Sequence, residues 1–225
     1  MLSYFKNRRD LKSRIRQIEE ETGDKKWYYY IDFGYGVKVG KEHRRDKTGG
    51  YRNWENFLVD SLPALKGLRV LDIGCNAGIY DLEMVKIGAL EVIGIDLDTR
   101  KAEFIREWFE QKDGKKYDRV KFISGDVGHY DFLSLGQFDL VCMFCVAYHL
   151  GEYIENIFHQ LQKMTSTVAL QGNLPRLISP KYRNRKYQEL AGTEGMAALL
   201  EAYGFNNIDV KAPQGYAKPL IIGKK

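Results

Sequence analysis

The sequence predicts an α/β fold built on a parallel sheet, and two stretches carry that prediction. The first is Val70-Leu71-Asp72-Ile73-Gly74-Cys75-Asn76-Ala77-Gly78-Ile79-Tyr80, an apolar run that stops at a carboxylate and opens into a turn bounded by glycines. The second is Val92-Ile93-Gly94-Ile95-Asp96-Leu97-Asp98, another apolar run ending on an acid. Short apolar runs bounded by turn residues suit strands buried on both faces. Strand, glycine turn, helix and second strand in this order make the first βαβ unit of a nucleotide-binding sheet. The glycines let backbone come close to a ligand, and an acid at the tip of the second strand is placed to grip a ribose diol.

The turn narrows the choice of ligand. Dinucleotide enzymes use G-x-G-x-x-G so that a pyrophosphate can rest on the helix N-terminus. Here Gly74-Cys75-Asn76-Ala77-Gly78 lacks the middle glycine, and Asp72 would repel a pyrophosphate. A ligand with a free ammonium suits that carboxylate better, and S-adenosylmethionine carries both an ammonium and a sulfonium. On these residues the chain resembles class I S-adenosylmethionine-dependent methyltransferases, whose motif I is written D-x-G-x-G-x-G. Asn76 departs from that pattern, although Asn tolerates the left-handed conformation better than most residues. The bland alternative is an ordinary buried strand and turn of some other α/β protein.

The resemblance implies a Rossmann-like seven-stranded sheet with helices on both faces and the cofactor held at Asp72, Gly74, Cys75, Asn76, Gly78 and Asp96. Two later segments extend it. Arg119 to Val127 reads as a short strand ending in Gly125-Asp126. In the family an acid there meets the adenine amino group, with apolar neighbours (Leu97 and Val127 here) against the ring. Phe138-Asp139-Leu140-Val141-Cys142-Met143-Phe144-Cys145 reads as a fourth strand. Phe144 lies at its cofactor end, and it runs into Val146-Ala147-Tyr148-His149-Leu150, where the family places substrate and the transferred methyl.

The remaining elements follow in order. Leu11, Ile15 and Ile18 at helical spacing predict a helix over 2–22 with Gly23 as its stop. Trp27, Tyr28, Tyr29, Tyr30, Phe33 and Tyr35 alternate with glycines as a hairpin or cover strand, and 43–51 is a charged loop. Residues 1–45 are thus expected to form an N-terminal helical and aromatic appendage, and 46–225 the S-adenosylmethionine-binding domain. A helix over 52–66 leads into the first strand. Leu82 to Ile87 belong to the first crossover helix, and 99–111 to the second, with Thr99 as N-cap and Glu103 near the capping-box position. Gly151 to Met164 is a further helix, 166–171 a fifth strand, and a last helix runs from Thr193 or Glu194 to the glycine stop at Gly204. Two closing strands cover 208–211 and 220–222. Asp81 and Asp98 read as polar residues of helix starts.

Composition agrees with one sizeable core: 225 residues, 44% of them apolar. No apolar stretch approaches the roughly 20 residues that span a bilayer, and the first residues lack a signal peptide's apolar centre. Three cysteines make neither a disulfide nor a zinc framework, and no metal site is expected. The expected location is cytoplasmic. The net charge of +5 is unevenly spread. Basic clusters lie at 6–16 (Lys6, Arg8, Arg9, Lys12, Arg14, Arg16), at 41–52 (Lys41, Arg44, Arg45, Lys47, Arg52) and at 181–186 (Lys181, Arg183, Arg185, Lys186). Such clusters suit a polyanion such as tRNA or another RNA, and Tyr182 and Tyr187 could stack on bases. They read equally as solvated faces.

A narrower resemblance rests on Tyr35-Gly36-Val37, Asn53-Trp54, Leu62-Pro63, Leu71-Asp72-Ile73-Gly74-Cys75, Gly94-Ile95-Asp96, Phe138-Asp139 and Tyr148-His149. Over roughly 35–210 this series looks like the enzymes that modify 5-hydroxyuridine at the tRNA wobble position, N-terminally shortened. Some of those enzymes use a carboxylated cofactor, held partly by the Tyr of the Tyr-His element. Tyr148 fits that role, but the family's basic segment before Tyr-Gly-Val is replaced by Trp27-Tyr28-Tyr29-Tyr30-Ile31-Asp32, which favours plain S-adenosylmethionine. Methyl transfer needs nucleophile, carbon and sulfur aligned and water excluded. His149 is the candidate base for a hydroxyl nucleophile and Tyr148 its neighbour; a helix-start residue and a packing aromatic are the bland readings of each. Trp54 stands where the family closes over the methionine end, or simply packs in the core. Competing functions are a methyltransferase for a sugar, phenol or lipid-linked substrate, a non-catalytic cofactor-binding subunit and, last, a nicotinamide-dependent dehydrogenase.

Overall fold

A computed structural model describes residues 5–40, 53–173, 189–212 and 218–225. The charged loop and the basic clusters at 41–52 and 181–186 lie outside the described residues.

Helix α1 (Arg8–Thr22) starts later than the apolar spacing suggested, because Asn7 caps it: its side-chain oxygen accepts from the N–H of Arg9 (2.8 Å) and of Asp10 (3.1 Å). Gly23 closes it in the left-handed conformation, and Leu11, Ile15 and Ile18 form the buried stripe. A two-stranded hairpin follows, β1 (Ile31–Asp32) against β2 (Lys38–Val39). The helix expected over 52–66 is cut to Trp54–Ser61 and opens with a π-helical turn at Trp54–Leu58. Pro63 is the reason: it disfavours the helical region at Leu62, which is extended (ψ 159°).

The main sheet comprises β3 (Arg69–Ile73), β4 (Glu91–Asp96), β5 (Val120–Ser124), β6 (Leu140–Phe144), β7 (Thr167–Gln171), β8 (Asn207–Lys211) and β9 (Leu220–Lys224), in the order β5-β4-β3-β6-β7-β9-β8. Strands β3 to β7 are parallel, whereas β9 lies antiparallel between β7 and β8. The parallel sheet expected from the alternation of strands and helices is present in β3 to β7. That alternation sets no direction for the two closing strands; the eight residues between β8 and β9 (212–219) are too few for a crossover, so they pair antiparallel. Crossovers are α2 (Ile79–Lys86), α3 (Arg100–Asp113), α4 (Tyr153–Met164) and α5 (Thr193–Ala202). Thr99 does sit at the α3 N-cap, but its hydroxyl bonds Ser124 Oγ (2.8 Å) on β5 instead of capping, and the Asp98 carboxylate takes the Arg100 N–H (3.0 Å).

Strand alternation divides the core. Val70, Val92, Val120, Leu140 and Ala169 face one layer; Leu71, Ile73, Ile93, Val141, Met143 and Leu170 face the other, under α4 and α5. The appendage packs into the first layer. Phe104 of α3 is fully buried between Phe5 (5.4 Å), Trp27 (6.1 Å) and Phe33 (5.3 Å). Polar clasps lock it there: Gln111 exchanges hydrogen bonds with both backbone groups of Phe5, and Lys101 Nζ meets Asp24 and the Lys26 carbonyl, both at 2.7 Å. No described helix is long and apolar enough to cross a membrane.

Candidate active site

The chain order reverses between β3 and β6, so the crevice for a ligand opens at the carboxyl ends of these two strands. The Gly74–Gly78 turn hangs there from the tip of β4: the N–H groups of Gly74 and Cys75 both donate to Ile95 O, at 2.8 and 3.1 Å. Gly74 (φ 83°) cannot be replaced cheaply, since a Cβ there would lie 2.7 Å from Val146 of the loop after β6. Asn76 supplies the left-handed residue (φ 53°) where the middle glycine is missing, and its side-chain oxygen accepts from the Ala77 N–H (2.9 Å). Asp96 fixes the same turn. Its Oδ2 accepts from the Asn76 N–H and its Oδ1 from the Leu97 N–H, each at 2.8 Å. Burial raises the Asp96 pKa while these two backbone donors pull it down.

Asp72 reaches its place because β3 ends there, and it stands opposite Gly94 in the β3–β4 register. It is buried, and its Oδ1 has no hydrogen-bond donor among the described residues. Burial pushes its pKa well up, aided by the nearby carboxyls of Asp81 and Asp96. Asp81 lies in the first turn of α2 as the sequence reading has it, but it is fully buried, with both oxygens lacking a donor among the described residues. Its pKa is raised to about 7, chiefly by burial.

Towards β6 the site is aromatic. Trp54 stacks on Tyr80 (5.7 Å between ring centres), and Tyr80 meets Phe144 and Tyr29 edge-on at 5.7 and 5.5 Å. Behind them lies a buried amide pair. Asn53 Nδ2 donates to Gln171 Oε1 (2.9 Å) and to the Tyr80 hydroxyl (3.1 Å), and Gln171 Nε2 returns a bond to Asn53 Oδ1 (3.2 Å). Cys145 (φ 58°) turns the chain into the loop that carries Tyr148 and His149. The Tyr148 hydroxyl accepts from Asn173 Nδ2 (3.4 Å), and burial holds its pKa above the ordinary phenol value. His149 packs on Tyr148 with ring centres 4.4 Å apart; desolvation lowers its pKa, so the imidazole is neutral at pH 7.

At the opposite rim Leu97 is 71% exposed, whereas Val127 is buried. Asp126 is turned into its own loop, accepting from the Gly128 N–H (2.9 Å) and pairing with His129 Nδ1 (2.9 Å), which keeps its pKa low. The structure thus brings Asp72, the turn, Asp96, Trp54 and Phe144 to one crevice, with Tyr148 and His149 on the loop after β6. It adds Tyr80 and Gln171, together with Asn53 and Asp81, which the sequence reading names only within a motif and as a helix-start residue. For Gln171 the signal was a lone polar residue ending an apolar strand; Asp81 carries none, since its helix also holds Glu83 and Lys86.

Comparison with known proteins places this geometry. Residues 70–167 match the family described as a methyltransferase domain. Over that stretch the chain is similar to methyltransferase domains, and its seven-stranded sheet has their fold. Among curated relatives, the tRNA U34 carboxymethyltransferase of Histophilus somni (strain 2336) is 28% identical over 187 residues, 77% of this chain and 54% of that protein. The protein of the same name from Actinobacillus succinogenes is 28% identical over 207 residues, 86% of this chain and 60% of its own. The chain therefore spans little more than half the length of these relatives. Among solved structures, the N-terminal domain of EvdMO1 with SAH bound superposes with a TM-score of 0.64 at 19% identity, covering 99% of this chain and 98% of that one. At that identity the likeness speaks to the methyltransferase fold.

Proposed function

We propose that the protein is an S-adenosylmethionine-dependent methyltransferase acting on an oxygen of tRNA or another RNA. The observation that carries the cofactor reading is the Asp72 carboxylate, whose buried Oδ1 has no donor among the described residues. A buried acceptor without a donor is costly, and an ammonium there removes the cost. The other residues fit the same group. Asp96 retains acceptor capacity for ribose hydroxyls beyond its two backbone donors, and the exposed Leu97 offers apolar surface for an adenine. Asp126 is the adenine-amino partner by its place after β5, with Val127 beside it.

When bound, the cofactor supplies an electrophilic methyl on a sulfonium. The chain's residues orient and shield. Trp54, Tyr80 and Phe144 wall the methionine end, and the Asn53–Gln171 pair fixes Tyr80 and the end of β7. His149, neutral at pH 7, is available to take a proton from a hydroxyl nucleophile, with Tyr148 beside it. The methyl, not a carboxymethyl, is the transferred group in this proposal: the place of the family's basic segment is filled by Trp27, which is buried against Phe33 and Phe104.

RNA as substrate is supported by the relatives named for tRNA and by the exposed Lys6, Arg8, Arg9 and Arg16 of the appendage. In this reading residues 1–45 serve as the docking appendage and 46–225 as the catalytic part, working in the cytoplasm. The test is transfer of a labelled methyl from S-adenosylmethionine to total tRNA, with ribonuclease-treated tRNA as control. Label that enters tRNA and is lost on digestion to nucleosides lacking a 2′- or 5-oxygen methyl would refute the O-methyl assignment. Label that enters only small sugars or phenols would establish the small-molecule alternative instead.

A further inference from the structure

Asp81 has no role in the chemistry described so far, yet it is costly to place. It lies on α2 directly behind the glycine turn, fully buried, with neither carboxyl oxygen meeting a donor among the described residues. Its Oδ1 presses onto β4 at Gly94, where a Cβ would come within 2.6 Å of it and within 2.9 Å of Cys75. Gly94 is the register partner of Asp72, so the absent side chain opens the space that lets the two carboxyls meet. Asp72 and Asp81 lie on the Gly94 side of the sheet, near enough for each to shift the other's pKa, and two buried carboxyls so placed are accommodated by sharing a proton. Among the described residues, the groups that act on the pair are not cations: Asp96 from β4, Cys75 from the turn, Cys142 from β6 and Tyr29 from the segment before β1.

We propose that Asp81 is a positioning residue for the cofactor's ammonium: it holds Asp72 through a shared proton in the ligand-free site, and the pair sheds one proton to solvent when the ammonium docks on Asp72. Charge balances, since one positive charge leaves as another arrives, and only an O–H bond breaks. Cofactor affinity is therefore linked to pH, rising as the solution takes up the proton more readily. Burial raises Asp81 to about 7 and holds Asp72 well above its ordinary value, so the exchange lies above the range where free carboxyls titrate.

The inference rests on the cofactor reading above, and the experiment separates the two. SAH is titrated into the intact protein by calorimetry between pH 6 and 7, in buffers of small and large ionisation enthalpy. The slope of heat against buffer enthalpy counts protons released. We expect roughly half a proton or more, and a dissociation constant that falls about 3- to 10-fold over the unit, the upper figure being the limit for one linked proton. 5′-Methylthioadenosine, which lacks the ammonium, should bind without proton release. In Asp81→Asn the pH slope should drop below about 2-fold, while a merely structural role would weaken binding equally at every pH. The wild-type proton count stands even where that variant fails to fold. Failure of the wild type to bind SAH at all would overturn the cofactor reading and this inference together. SAH binding with no proton release, or with equal release for 5′-methylthioadenosine, would overturn this inference alone.

Discussion

Replacing Asp81 with Asn should change how the ligand-free protein responds to pH, and the size follows from the site. The Asp81 pKa is raised from 3.8 to about 7 by burial. Each unit is worth about 1.4 kcal/mol, so three units amount to something on the order of 4 kcal/mol. The sign is set by which state holds more protons. Between pH 4 and 7 the unfolded chain has released this proton and the folded chain has kept it. Asp81 therefore adds full stability below about pH 4, and that contribution is lost as pH rises through about 7. A domain stable by 5–15 kcal/mol would feel such a loss clearly. The assay is urea unfolding of the ligand-free protein at intervals from pH 4.5 to 7.5, wild type against Asp81→Asn. The variant carries no ionisable group at this position, so wild type minus variant should fall by about 2–4 kcal/mol across the range, with m unchanged. Taking the difference cancels His149, whose depressed pKa gives an opposite slope: its contribution is present above pH 6.5 and lost as pH falls. Asp24, Glu91, Asp98 and Asp113 are held low by their cationic or hydroxyl partners, so their contributions disappear only below about pH 4. Parallel curves for the two proteins would refute the reasoning, because they would mean that Asp81 adds no bound proton to the fold beyond what Asp72 holds alone.

Other outcomes follow from the same geometry. Phe104→Ala removes the ring that Phe5, Trp27 and Phe33 all meet, and should cost about 3–5 kcal/mol. Because appendage and sheet share that core, unfolding should remain a single transition; a separate early transition for residues 5–40 would contradict this. Gly78→Ala sets a Cβ 2.3 Å from the Phe122 ring at φ 65°, which should destabilise by about 2–4 kcal/mol and weaken SAH binding. Asn76→Gly relieves the left-handed strain at φ 53° but gives up the bond to Ala77, so unfolding midpoints should shift little, within about 1 kcal/mol either way. His149→Ala should leave the SAH dissociation constant within about 2-fold while lowering kcat. In the wild type kcat should rise with pH to a plateau, with its midpoint below the ordinary imidazole value, as a base with a depressed pKa requires.

Much of this arrangement was legible before any coordinates. Strands β3, β4 and β6 announce themselves as apolar runs because each is covered on both faces, and the turn at Gly74–Gly78 declares itself by its glycines. Direction is another matter. Residues 207–211 and 220–224 read as strands, yet alternation of side chains is the same whether a strand runs parallel or antiparallel. Helix boundaries slipped where a local rule was present and outweighed by spacing. Pro63 ended the Trp54–Ser61 helix at Leu62, and Asn7 rather than an earlier residue started α1. Thr99 shows the reverse case. Its type and place suit a cap, but a hydroxyl on the neighbouring strand offered a competing partner.

Asp81 marks the deeper limit. An acid in the first turn of a helix is usually stabilised by the helix dipole and by water, and nothing in its own neighbourhood of sequence says otherwise. What changes its meaning is a glycine on another strand: Gly94 lies opposite Asp72 and against Asp81 at once, so one missing side chain brings two carboxyls into a dry space together. Register, not composition, creates that encounter. Filling the space offers the decisive check. Gly94→Ala puts a methyl 2.6 Å from Asp81 Oδ1 and should push the carboxyls apart. Overpacking of this kind costs about 1–3 kcal/mol. If the pair is what couples the site to pH, the variant should lose stability and also flatten the pH dependence of SAH binding. A Gly94→Ala protein that is destabilised yet keeps the wild-type pH slope would assign the linkage to some other group.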